Sequence, residues 1–191
     1  MRSKTTDDLE LRLEDLVREN AAMKKRLARL EPQRRIEDEL RENERRVVAQ
    51  RTAIAKLLVD EAVVGNNLAD ALERICEVLT TTLDTARASV WRLSEDRSSL
   101  RCLSCTGTAA KTHGSGKSLE THLFPSYFEA ILTENRVVSE DVLEDPRLAG
   151  LVEPYFAPLG ITALMDAGIL IDGAIRGIVS VENIGPKRRW R

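Results

Sequence analysis

Arg87-Ala-Ser-Val-Trp-Arg-Leu-Ser94 and Gly173-Ala-Ile-Arg-Gly-Ile-Val-Ser-Val-Glu-Asn-Ile-Gly-Pro186 are the two ends of the stretch whose reading decides the fold. Both alternate apolar with polar residues and are rich in Val and Ile, the pattern of half-buried strands. Between them lie every Phe and Tyr of the chain, several turn signals and two short helical patterns. This stretch can build a core. The residues ahead of it carry no aromatic at all before Trp91, and only Pro32 and Gly65 interrupt them. A helical rod followed by an α+β domain accounts for that asymmetry.

Working outward toward the N-terminus, Leu68, Leu72, Ile75, Leu79 and Leu83 have helical spacing, with Asn67 as N-cap and Asp70 in the first turn. Gly65 suits the end of the preceding helix. Inside the stretch, Glu95 to Ser98 is a turn and Ser99 to Thr106 a second strand. Gly107 to Glu120 is a polar loop, Phe124-Pro125 opens a helix, and Arg136 to Ser139 is a short strand. Asp145-Pro146 opens another short helix toward Tyr155, which Pro158-Leu-Gly160 ends. Ile161 to Ile171 and Ala174 to Ile184 form a terminal hairpin across Asp172-Gly173, a strong two-residue turn signal. The order predicts an α+β domain with an antiparallel sheet and flanking helices.

The rod begins with a seam of alternating steps, Leu9, Leu13, Leu16, Asn20, Met23, Leu27 and Leu30, about three heptads of a coiled coil. Asp7 or Asp8 caps it. Asn20 at an a position favours one register and a two-stranded state. In a parallel dimer Glu19 meets Lys24 and Arg26 meets Glu31, both opposite in sign. A single helix packing on its own domain would need a wider apolar face. Pro32 then breaks the pattern, so a second helix is expected from there to about Ala62. Its seam, Ile36, Leu40, Asn43, Val47, Gln50, Ile54 and Leu57, is poorer, and Glu39–Glu44 and Arg46–Arg51 would repel across a dimer. It reads either as a coiled coil able to change register or as a weak spacer. The expected division is 1–31 coiled coil, 32–64 second helix or linker, and 65–191 the globular domain.

The net charge of -2, with 31% charged residues, creates no global field for nucleic acid or membranes. Three cysteines, Cys76, Cys102 and Cys105, do not make a secreted disulfide scaffold. No stretch has membrane-spanning length and no apolar leader is present, so the expected location is cytoplasmic. Gly114-Ser-Gly-Lys-Ser118 resembles the end of a phosphate-binding loop, but Lys111 stands where the first glycine is needed. Cys102 and Cys105 lie three apart on a strand, so strict alternation points them to opposite faces. With only His113 and His122 besides, no metal set is expected, and no catalytic constellation. Lys187-Arg-Arg-Trp-Arg191 reads as a solvated turn rather than a nucleic-acid site.

Leu83-Asp-Thr-Ala-Arg-Ala-Ser-Val-Trp-Arg-Leu, Phe124-Pro-Ser-Tyr-Phe, Asp145-Pro-Arg, Pro158-Leu-Gly-Ile-Thr-Ala-Leu-Met-Asp-Ala and the run from Gly173 to Trp190 together resemble the bacterial GAF domain, over about residues 66 to 190. The resemblance implies a small-molecule pocket between one sheet face and the short helices and loops over it. It also implies a sensor module of a longer signalling protein, such as a histidine kinase or diguanylate cyclase. Two features depart from the family: Gly168 replaces its usual proline, and the helix that follows the Trp190 region is missing. Neither histidine has the adjacent cysteine of a phytochrome bilin site, and the cyclic-nucleotide signature is absent as a set. The resemblance names no cofactor. It leaves open a structural dimerisation module and, as a lesser alternative, a methionine sulfoxide reductase using Cys102 or Cys105.

Strand parity then selects the pocket. If Ala88 and Val90 face the long helices, Ser89 and Trp91 face the pocket, as do Leu103 and Cys105 on the second strand. Phe128, Asp141, Tyr155 and Ser180 are the candidates from the lid and the last strand. The expected assembly is a parallel homodimer through the coiled coil, with a small-molecule ligand, no nucleic acid and no membrane.

Overall fold

The structure, a computed structural model, describes residues 4–107 and 116–190, with residues 4–11 by their backbone alone. It divides into two units, Met1–Ala49 and Gln50–Arg191.

Helix α1, Lys4–Leu57, starts in the first unit and ends in the second. Two expectations are corrected here. The helix begins at Lys4, ahead of Asp7 and Asp8, and it runs through Pro32 without a break. Pro32 has no N–H for the Ala28 carbonyl, a loss of about 3 kcal/mol in a helix interior. Both residues are exposed, so water can take that carbonyl, and strong helix formers on either side carry the helix on. Leu13, Leu16, Met23, Leu27, Leu30, Ile36, Leu40 and Ile54 are all exposed, and Asn20 with them. Val47 is half-buried. Leu9 has its side chain outside the described residues. Among the described residues no helix is long and apolar enough to cross a membrane.

Helix α2, Glu61–Val64, is capped by Asp60, whose Oδ1 accepts from the Ala62 N–H at 3.1 Å while Oδ2 accepts from Arg74 Nε at 2.8 Å. Helix α3, Leu68–Leu83, begins as its sequence demands: Asn67 Oδ1 accepts from the Ala69 N–H at 3.0 Å. The strands are β1 Arg87–Leu93, β2 Ser99–Gly107, β3 Ser118–Glu120, β4 Arg136–Ser139, β5 Ile161–Ile171 and β6 Ala174–Ile184. They form one antiparallel sheet in the order β3-β2-β1-β6-β5-β4. β3 was expected as loop. The β5–β6 turn places Asp172 and Gly173 at φ 52° and 75°, the left-handed pair that a two-residue hairpin needs.

Ala88, Val90 and Val181 face α3, packing with Cys76, Leu72, Leu79 and Leu83. The opposite face carries the larger core. Its cover is helix α4, Pro125–Glu134, and a segment made of α5 Ala149–Leu151, a π turn Val152–Phe156 and α6 Ala157–Leu159. The helix expected to start at Asp145-Pro146 starts later. Asp145 instead accepts the Arg147 N–H, closing a turn. The widened π turn brings Tyr155 and Phe156, neighbours in sequence, both into the core.

Gly168 has a local cause. A Cβ there would lie 2.1 Å from Asn135 Oδ1, and the Gly168 N–H donates to the Asn135 carbonyl at 3.0 Å, which a proline could not do. The C-terminal run is also not a free solvated turn. Lys187 pairs with Asp141, Arg188 reaches the Leu83 and Asp84 carbonyls at the end of α3, and Trp190 Nε1 donates to the Ser139 carbonyl at 2.9 Å. A cation at a helix C-terminus meets the negative end of its dipole.

Candidate functional site

The site is a cleft between the sheet and its α4–α6 cover. It is lined by Trp91 of β1, Leu100 of β2, Leu119 of β3, Leu164 and Asp166 of β5, and Ser180 and Glu182 of β6. Tyr127, Leu151, Tyr155 and Phe156 close it from the other side. The cleft has about 310 Å³ of empty space with its mouth included, but water centres find room in only about 20 Å³ of it. That holds a water or two.

Of the expected site residues, Trp91, Tyr155 and Ser180 line the cleft. Ser89 lies directly beneath, fully buried, and its Oγ accepts the Trp91 Nε1–H at 2.8 Å. The Trp91 and Tyr155 rings meet edge to face with centroids 6.2 Å apart. Cys105 is on the same sheet face, where its Sγ accepts from Arg87 Nη2 at 3.0 Å. Three expectations are not met. Leu103 falls in a bulge: Val90 pairs with Ser104 and Trp91 with Cys102, so Leu103 has no partner on β1 and does not line the cleft. Phe128 is core, stacked edge to face on Tyr127 at 5.2 Å. Asp141 sits beyond β4, accepting the Leu143 N–H and pairing with Lys187.

The bulge also corrects the reading of the two cysteines. One extra residue restores parity, so Cys102 and Cys105 face the same core rather than opposite sides. Both are buried, as is Cys76. Burial pushes the Cys102 thiol up to about 12 and the Cys76 thiol up to about 11, so both are held as thiols at neutral pH. Among the described residues no group of three or more His, Cys, Asp or Glu could hold a metal ion. His113, Lys111 and the start of the Gly114 to Ser118 motif lie outside the described residues.

Parity reading passed over the two acids at the floor. Glu182 and Asp166 are only 1% and 2% exposed. The Arg87 guanidinium stands beside Glu182, Nη1 3.1 Å from Oε2, close enough for an ion pair but not aligned for a hydrogen bond. Burial still raises the Glu182 pKa, against the lowering effect of Arg87 and of the Tyr155 hydroxyl that faces it. Tyr155 in turn has two cations over its ring, with Arg87 5.8 Å and Lys117 5.3 Å from the ring centre. Asp166 accepts the Tyr127 hydroxyl proton on Oδ2 at 2.5 Å. Burial raises its pKa to about 7; Ser180 and Tyr127 lower it and the Glu182 charge raises it further. Asp166 Oδ1 has no hydrogen bond among the described residues, and Glu182 Oε2 and the Tyr155 hydroxyl, although they stand beside Arg87 and each other, make none that is well aligned. Buried polar atoms are rarely left so. The sequence did hold a signal for both acids: each is two residues along a strand from a pocket-facing neighbour, Glu182 from Ser180 and Asp166 from Leu164.

A family model for the GAF domain matches residues 67–191. The chain belongs to the GAF family. Solved structures agree in fold. The GAF domain of an Acinetobacter phosphoenolpyruvate-protein phosphotransferase is similar at 13% identity and a TM-score of 0.54, over 74% of this chain and 78% of that one. The chromophore-binding domain of Stigmatella aurantiaca phytochrome P1 is similar at 14% identity and 0.57, over 75% of this chain and 52% of that one. Residues 122 to 287 of a methyl-accepting chemotaxis protein are similar at 21% identity and 0.54, over 65% and 77%. No curated protein sequence matches. GAF domains are generally regulatory sensor modules rather than catalysts, and the cleft described above is the space between the GAF sheet and its lid.

Proposed function

We propose that this chain is a dimeric regulatory sensor of a signal-transduction protein, of two-component or related type, working in the cytoplasm. A small molecule or partner engages the GAF domain, and helices of a parallel coiled coil relay the change to an output domain. The observation that carries the ligand half is the cluster of buried polar groups at the cleft floor: Asp166, whose Oδ1 has no hydrogen bond among the described residues, with Glu182 and the Tyr155 hydroxyl beside it. They sit in a mostly apolar cleft, the ordinary make-up of a small-molecule site. The dimer half draws on the exposed seam of α1, where large apolar side chains line one stripe. Trp91, Ser89, Cys105, Tyr155 and Ser180 are retained as ligand-site residues, with Tyr127, Asp166 and Glu182 added.

A second reading has one observation in its favour. The cleft is nearly filled by its own side chains, as a structural dimerisation module would have it. Native mass spectrometry separates the two. A dimer carrying an added small mass supports the sensor. A bare dimer that also ignores a metabolite screen supports the structural module, and a bare monomer overturns the coiled-coil relay. The sulfoxide reductase reading requires a reactive thiolate, which the burial of Cys102 disfavours. Turnover of methionine sulfoxide that disappears on mutating Cys102 or Cys105 would restore it.

A further inference from the structure

The polar floor of the cleft is unbalanced, and the imbalance has a sign. Glu182 has a cation beside it, Arg87. Asp166 does not. The groups that face it are Tyr127 from α4 and Ser180 and Glu182 from β6, while β4 offers the apolar Val137 as its paired residue. Arg87 and Lys117 are turned to Glu182 and to the Tyr155 ring. Arg87 is further committed through Nη2 to Cys105. Asp166 Oδ1, which has no hydrogen bond among the described residues, is a carboxylate oxygen, and such an oxygen only accepts hydrogen bonds when ionised. The walls are aromatic, with Trp91, Tyr127, Tyr155 and Phe156 around the space. Ring faces attract cations, more so when the cation is desolvated. An anion entering here would meet two carboxylates and would have to compete with Glu182 for Arg87.

We propose that the cleft takes a compact organic cation with N–H donors, of the protonated-amine or amidinium class, its donors ending on the Asp166 carboxylate and its body against the aromatic walls. This rests on the reading of the cleft as a small-molecule site and gives that site a ligand chemistry. Compactness follows from the limited empty space, and a ligand larger than the water or two that the cleft holds enters only as the aromatic walls part. Binding is coupled to a proton, because the ligand needs Asp166 ionised while burial alone favours its acid form. Affinity therefore rises with pH until the group is ionised without help.

Three probes with one ring and different heads test it on the full chain: benzamidine, benzamide and benzoate, titrated by calorimetry. Benzamidine is expected to bind about tenfold tighter than benzamide or better, since an ionic hydrogen bond to a carboxylate exceeds a neutral one. Benzoate is expected to be the weakest. Between pH 8 and pH 5 the benzamidine affinity should fall about a hundredfold, following the ionised fraction of a group that titrates near 7. Asp166→Asn, which can still accept from Tyr127, should bring benzamidine down to the benzamide level. If that variant does not fold, the pH series on the unaltered chain carries the test alone. Benzoate binding best, or benzamidine binding without pH dependence, would overturn the cation class and leave the small-molecule reading standing. No binding by any of the three, with a bound mass nonetheless present in native spectra, would also overturn the class alone. No binding and no bound mass would remove both.

Discussion

The two faces of the GAF sheet are built from the same strands and obey different chemistry. The face toward α3 is apolar: Ala88, Val90 and Val181 meet Cys76 and a row of leucines. The face toward α4 and the π turn buries Ser89, Asp166, Ser180 and Glu182 among aromatics. Along β6 the two alternate residue by residue, Val179 and Val181 one way, Ser180 and Glu182 the other. A purely structural sheet would have no reason to hold two acids in a core, since desolvating a charge costs more than apolar burial returns. The dry face therefore reads as the support, and the polar face as the side that carries the proposed ligand site.

Mutations that strike one face and spare the other would break or sharpen that contrast. The largest effect is expected from Arg87→Met, which leaves Glu182 without its cation in the core. Chemical denaturation should show a loss of about 3–5 kcal/mol, the usual cost of orphaning a buried charge. On the dry face Val181→Ala should cost about 2 kcal/mol, by lost burial and a small cavity, with no change in pH dependence.

A third effect concerns slope rather than size. The folded Asp166 pKa lies above the unfolded value of 3.8, at about 7, so between these values the folded state holds the extra proton. Stability should be greatest at the acid end of that window and fall by up to about 1.4 kcal/mol per pH unit as pH rises toward 7. Asp166→Asn should remove that contribution in urea melts at pH 5 and pH 7, and an unchanged slope would refute the assignment. The smallest effect is expected from Ser89→Ala, about 1 kcal/mol for the lost Trp91 hydrogen bond, with a shift in Trp91 fluorescence as its signature.

Much of the frame was legible. The Asn67 cap, the limits of β1, β5 and β6 and the Asp172-Gly173 turn all follow from local chemistry, because each depends on residues within a few positions of one another. Pro32 was misread for a related reason: a proline's local cost is real, but a long helix that continues on both sides can absorb it. The site was harder. Parity put Ser89 and Trp91 on the sheet face that the cleft shares, then failed at Leu103, because a bulge without a glycine or proline to announce it reset the alternation. Asp141 looked like a cleft acid until Lys187, 46 positions away in the chain, proved to be its partner. Glu182 was not singled out, since a polar alternation is the same in sequence whether that face meets water or a lid.

By itself, the sequence determined the main strands and the helix after Asn67, where the β5–β6 hairpin turns, and the family to which the chain belongs. Those outcomes rest on backbone preference, hydrophobic period and turn chemistry, all of which act over short distances. The tertiary structure decided which polar residues are buried, which cysteines share a face and which cation meets which acid. Those depend on strand register and on what packs over the sheet, and a single inserted residue in β2 is enough to change them.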